Sequence, residues 1–268
     1  MSTVEAGAVE TEALGVDYER YALDRSFRRL VRRHTIGSVL EIPAKGQKAM
    51  PSLYSLGFAG AGCDVALVNP EPKSLPAWAS LGYGVECHRC EHSERTGLPA
   101  ANYDLTWNFL TLAQAADAGA LLAEMVRLSR RYVMFLSVNR FNPGFFAHRL
   151  AHRVSGIEWT HGAIEWMNPF RVRRFFECAG LEVVETGLVD TPPFPDSLGF
   201  RDLRLHRLGV DLDKHDWYSR TVEWMRTGRY PRYIRALYMF ESVPVPFLAK
   251  LGYAHLFYVL GRRSDPGS

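Results

Sequence analysis

The chain has 268 residues, 47% of them hydrophobic and 23% charged, enough for one large α/β domain or two small ones without a disulfide or metal to hold the core. Its formal charge of +3 is too small to imply nucleic-acid binding. No apolar run reaches the ~18 residues of a candidate membrane span, and the four cysteines, with no export signal, read as reduced thiols of the cytoplasm.

Residues 1–17 carry Glu5, Glu10, Glu12 and Asp17 with no basic residue, which predicts a short, mobile acidic tail before a domain over 18–268. Leu23, Phe27, Leu30 and Val31 then form one helical stripe in "YERYALDRSFRRLVRRH". Ser38 to Ile42 reads as a buried strand between Gly37 and Pro43. A helix is expected around Ser52 to Ala61, a strand at Asp64 to Val68, a helix near Ser74 to Leu81 and a weaker strand at Val85 to Arg89.

Farther along, "YDLTWNFL" (Tyr103 to Leu110) has strand length, and "ADAGALLAEMVRLSRR" spaces Leu121, Leu122, Met125, Val126 and Leu128 as a helix. "YVMFLSV" (Tyr132 to Val138) is the clearest strand. "NPFRVRRFFECAG" predicts a helix with Asn168 as N-cap, Pro169 at its first position and Gly180 past its end. "LEVVETGLV" supplies another strand and "AHLFYVLGRR" the last. Residues 192–250, rich in Pro, Arg, Trp and Tyr, break the rhythm and read as an insertion that caps the domain. Strands alternating with helices predict a mostly parallel, Rossmann-like sheet of seven strands covered on both faces.

These elements together resemble the class I S-adenosylmethionine-dependent methyltransferases, from Ser38 to Val189 and again in the closing strand. "SVLEI" resembles the first strand of that family, "CDVALVNPEP" the second and "YDLTWNFLTL" the fourth. "LLAEMVRLSRRYVMFLSVN" resembles the helix and fifth strand, and "VRRFFECAGLEVVETGLV" the next pair. The resemblance implies S-adenosyl-L-methionine as cofactor, bound at the carboxyl ends of the strands where the strand order reverses.

The resemblance assigns the cofactor contacts to Glu41, Pro43, Gly46, Asn69, Glu91, Glu94, Trp107 and Asn108. Two of these positions depart from the family pattern. The loop that would read acid-x-Gly-x-Gly-x-Gly is here Glu41-Ile42-Pro43-Ala44-Lys45-Gly46-Gln47. Pro43 fixes φ near about −65° and removes an N–H, and Lys45 adds bulk, although its ammonium suits the cofactor's methionine carboxylate. Asn69 stands where an acid would bond the ribose, and an amide makes that bond without charge assistance.

Beyond the loop, the C-x-x-C pair Cys87 and Cys90 on a predicted strand is expected to be neither metal-bound nor disulfide-linked, and no metal site is expected elsewhere. His148 and His152 sit four apart with Arg149 and Arg153 and read as a solvated basic face. His161, in "WTHG", is the candidate for acceptor contact or general base. The aromatic and basic residues interleaved from Trp217 to Tyr253 fit a cap over a small-molecule pocket, or a surface for a homo- or heterodimer. Two readings follow. One is an enzyme transferring a methyl group to an unidentified small-molecule or lipid acceptor. The other is an inactive methyltransferase-like binding or scaffold protein.

Overall fold

The computed structural model describes residues 10–46, 50–191 and 217–264. Its centre is a seven-stranded sheet. In chain order the strands are β1 (Ser38–Glu41), β2 (Asp64–Val68), β3 (Glu86–His88), β4 (Tyr103–Phe109), β5 (Ser129–Val138), β6 (Leu181–Val189) and β7 (Leu256–Arg263). Their spatial order is β3-β2-β1-β4-β5-β7-β6, with β7 antiparallel to both neighbours. The order reverses between β1 and β4, where Leu40 pairs with Thr106 on one side and Ala66 on the other.

The near-continuous apolar runs of the sequence follow from burial on both faces. Val39, Leu105, Trp107, Met134 and Leu136 point to one face, and Leu40, Val133, Phe135 and Val259 to the other. Helices α1 (Leu14–His34), α2 (Leu56–Ala59) and α3 (Leu75–Ser80) supply residues to the first core. Helices α4 (Ala118–Leu128) and α6 (Pro169–Cys178) pack on the second, and α5 (Pro143–Ser155) follows β5. The start and stop signals of α6 are those expected: Asn168 accepts from the Phe170 N–H (3.0 Å), and Gly180 takes a φ of 78°.

The acidic N-terminal stretch is not a tail from Glu10 onward. Glu10–Thr11 pairs in parallel with Trp217–Tyr218, and Glu12 bonds Arg20 at 2.7 Å with both side chains buried. Asp17, fully buried, pairs with Arg220 and accepts from Thr221 Oγ1 at 3.1 Å. Their basic partners lie on α1 and far downstream, so charge runs along the chain gave no hint of the pairing.

Most of the first half of the expected insertion, 192–216, lies outside the described residues. Its remainder forms α7 (Arg220–Thr227), α8 (Arg232–Glu241) and α9 (Phe247–Leu251). Tyr230 and Tyr238 place their rings 4.7 and 5.5 Å from that of Tyr21 on α1. Among the described residues no helix is long and apolar enough to cross a membrane.

Candidate functional site

The switch point between β1 and β4 places the loop after β1 at the carboxyl edge of the sheet. Ile42 donates its N–H to the Trp107 carbonyl (2.9 Å), and Ala44 donates to the Val68 carbonyl (2.7 Å), so the loop lies across the ends of β1, β2 and β4. The Ile42–Pro43 peptide is cis. Ser52 Oγ donates to the Ala44 carbonyl (2.5 Å) and accepts from the Glu71 N–H (2.7 Å), which ties the loop to the segment after β2. Ile42, Pro43 and Ala44 are buried, whereas Lys45 is exposed and Gly46 half-buried. A methyl group on Gly46 would touch Thr111 Cγ2 at 3.4 Å, so this loop also faces the turn after β4.

Most polar side chains expected to reach a cofactor are engaged within the protein. Glu41 is 2% exposed and accepts from Ser55 Oγ at 2.6 Å, while the Trp107 indole donates to the same Ser55 oxygen at 2.9 Å. Burial pushes the Glu41 carboxyl up to about 8, against the Ser55 hydrogen bond and the charge of Arg20. Asn69 has a φ of 52°, and its amide pairs in both directions with the backbone of one residue: Nδ2 donates to the Cys90 carbonyl and Oδ1 accepts from the Cys90 N–H, each at 2.9 Å. Asn108 is fully buried; its Nδ2 donates to the Ile42 carbonyl and to Thr111 Oγ1, both at 2.6 Å, and its Oδ1 accepts from the Leu112 N–H.

Trp107 is fully buried against Phe27, Phe58 and Phe109, so its ring belongs to the core and not to a cleft wall. Glu91 is exposed beside His92 (3.8 Å), and Glu94 is half-buried. Burial raises the Cys90 thiol, while the Asn69 hydrogen bond and the charge of Lys45 oppose the rise, which puts Lys45 close to this loop. The structure therefore brings 41–46, Asn69, Cys90 and Asn108 to one edge, with Lys45 as the exposed cation among them.

The donors at this edge fit one end of S-adenosylmethionine better than the other. Lys45 suits the methionine carboxylate. A ribose partner at 69 would have to give up two hydrogen bonds to Cys90. All four cysteines are free thiols.

The histidines after β5 are arranged differently from the sequence reading. His152 is 3% exposed, so the α5 histidines are not a solvated face. Its Nε2 lies 2.9 Å from His148 Nε2 and 3.3 Å from His161 Nε2, which places His161 in a cluster instead of alone. The His161 loop docks on the turn after β4 through an Ala163 N–H to Ala113 carbonyl bond of 2.7 Å.

A second group at the carboxyl edge escaped sequence reasoning: His255 Nδ1 sits 2.9 Å from Asp190 Oδ2 and 3.7 Å from Glu19 Oε2, and Tyr54 O–H donates to Glu19 Oε1 at 2.6 Å. Asp190 and His255 border β6 and β7, and their contact could have been sought only after the antiparallel closing strand was paired.

No protein-family model matches the sequence, and no curated protein matches it significantly. Solved structures do resemble it. One is an S-adenosylmethionine-dependent enzyme from Thermotoga maritima described as a possible histamine N-methyltransferase, with TM-score 0.56, 12% identity, 94% of this chain covered and 92% of that one. A second is the magnesium protoporphyrin IX methyltransferase of Synechocystis PCC 6803 with bound SAH, with TM-score 0.50, 11% identity and coverages of 92% and 84%. A third is the 4+2 cyclase SpnF, with TM-score 0.53, 14% identity and coverages of 90% and 80%. The chain has the fold of the class I S-adenosylmethionine-dependent methyltransferases.

Proposed function

We propose that the protein transfers a methyl group from S-adenosylmethionine to a small-molecule or lipid acceptor at the carboxyl edge of β1, β2 and β4. The observation that carries this reading is the loop 42–46 lying across those three strand ends at the switch point of the sheet. The Synechocystis neighbour with bound SAH supports the choice of cofactor. Backbone groups of 45–46 and the Lys45 ammonium would hold the methionine end, with the exposed Glu91 and the half-buried Glu94 as the carboxylates of the neighbouring segment for the cofactor's donors. The cofactor supplies the activated methyl group; the chain's part is to align the acceptor, since in-line positioning alone supplies a large share of such a barrier. His255, oriented by Asp190, is the group we assign to receive the acceptor's proton. The insertion 192–250 belongs to the same proposal as the cover of the acceptor; of its described helices, α7 and α8 rest on α1, and α9 packs against the second core.

A second reading is a methyltransferase-fold protein without turnover. The inward-turned Glu41, Asn69 and Asn108 favour it, and the cyclase neighbour shows that this fold also serves other reactions. Calorimetric titration with S-adenosylmethionine and its demethylated product separates the enzyme from a scaffold that has lost the cofactor. The enzyme reading expects saturable heat for both ligands, weakened at least threefold in Lys45→Ala. No heat at ~1 mM ligand, the concentration matching a binding free energy of about −4 kcal/mol, would transfer the conclusion to the second reading.

A further inference from the structure

We propose that His148, His152 and His161 form a binding site for a divalent transition metal of the zinc class. The three rings present nitrogen atoms that all lie within 4.8 Å of one another. His148 and His152 are one turn apart on α5 with rings nearly parallel (21°), and His161 meets them edge-on from the loop that follows. A tetrahedral ion bound at about 2.0–2.1 Å holds its ligand atoms roughly 3.3 Å apart. The observed Nε2 separations of 2.9 and 3.3 Å need little adjustment to reach that spacing.

The tautomer of the central ring points the same way. His152 Nδ1 faces the carbonyl oxygens of Ile157 (3.2 Å) and Glu158 (3.1 Å), which only accept, so Nδ1 carries a hydrogen. In the neutral ring Nε2 is then a lone pair aimed at two other ring nitrogens. Without an ion, either both neighbours turn an N–H toward this one lone pair, or lone pairs oppose each other. A cation resolves the conflict. A ligating histidine whose other nitrogen donates to a backbone carbonyl is the usual supporting arrangement of metal sites.

The site is also held in shape. Trp159 packs its ring 4.8 to 5.8 Å from all three imidazoles and donates its indole N–H to the Gly162 carbonyl (2.9 Å). Gly162, with a φ of 88°, lies so close to the Ala113 carbonyl that a Cβ would stand 2.4 Å from its oxygen. Three imidazoles select zinc, cobalt, nickel or copper over magnesium or calcium, which prefer oxygen. Three protein ligands leave one position of a four-coordinate ion to water or to a donor atom of a substrate, the ligand count of a catalytic site. The proposal holds independently of whether the loop after β1 binds a cofactor.

The test starts from full-length protein stripped with a chelator. Titration with Co2+ followed by visible absorption, and with Zn2+ by calorimetry, should give one ion per chain and the intense bands of a four- or five-coordinate cobalt centre. Binding should weaken at least 100-fold in His152→Ala and in the partly exposed positions His148→Gln and His161→Gln, which keep the test valid if the buried variant fails to fold. Affinity should also fall as pH is lowered, because protons compete with the metal for the imidazole nitrogens. The proposal is overturned if the wild type binds no stoichiometric ion. It is equally overturned if binding persists in the two Gln variants, or disappears in Cys87→Ser with Cys90→Ser while those Gln variants retain it.

Discussion

Replacing Glu41 by Gln tests whether the acid at the end of β1 is neutral in the folded protein. Its carboxyl is buried, with Ser55 Oγ as donor at 2.6 Å, and burial raises it from an ordinary 4.5 to about 8. The folded state then holds a proton that the unfolded state releases, so stability is fullest below pH 4.5 and falls as pH rises toward 8. Each pH unit in that window removes about 1.4 kcal/mol, hence roughly 3 kcal/mol by neutral pH and at most about 5 kcal/mol above pH 8. Gln imitates the neutral acid and still accepts from Ser55, so Glu41→Gln should not show this slope. Urea unfolding of both proteins at pH 4.5, 6, 7 and 8.5 isolates the effect, because the titration of every other group cancels in the difference. The variant should match wild type at pH 4.5 and exceed it by about 3 kcal/mol at pH 7. A difference that stays constant with pH refutes the reasoning. A difference of opposite sign would mean an ionised Glu41 stabilised by Arg20.

Asn69→Asp removes the N–H that bonds the Cys90 carbonyl and puts a carboxylate oxygen in its place, 2.9 Å from that acceptor. We expect a loss of about 1–3 kcal/mol at pH 7.5 in thermal melts, shrinking near pH 4 as the acid regains a hydrogen to donate. Gly162→Ala must move the His161 loop off the Ala113 carbonyl, which should cost about 1–3 kcal/mol and weaken Co2+ binding in the same variant. Tyr230→Ala removes a ring tilted at 59° against that of Tyr21 and should destabilise by about 0.5–1.5 kcal/mol beyond lost burial, visible as faster limited proteolysis within 217–250.

How far the sequence could be read depended on whether a feature was local. Asp64–Val68 and Leu181–Val189 have the bounds that their apolar runs announced, because each is closed by a turn residue or a capped helix. β5 begins earlier than expected, at Ser129, since Arg130 and Arg131 at its polar start are exposed and pair sideways with Asp104, Ser38, His34 and Thr35. The helix foreseen over 52–61 is instead a 3-10 turn, Pro51–Leu53, and the short α2. Here Ser52 and Ser55 turn inward to bond Ala44 and Glu41, and the demands of the loop after β1 override helical continuity.

The candidate site was legible as a set of positions but not as a set of directions. Spacing along alternating strands and helices puts 41, 69 and 108 at one edge whatever their side chains do. Which way each side chain turns is decided by partners distant in sequence: Ser55 for Glu41, Cys90 for Asn69, Ile42 for Asn108. The same holds for the histidines. Arg149 and Arg153 made the α5 turn look solvated, yet His152 is buried because the 157–161 segment folds back and supplies two carbonyls and a third imidazole. This difference bears on the loop itself. In a glycine-rich loop the backbone is bare and a ligand covers it, whereas here Ile42, Pro43 and Ala44 are covered by the protein's own chain, leaving Lys45 and Gly46 as its less buried part. In the function proposed above, a ligand at this edge is recognised through Lys45 and the Cys90–Glu94 segment, and a variant that frees Asn69 from Cys90 alters that segment.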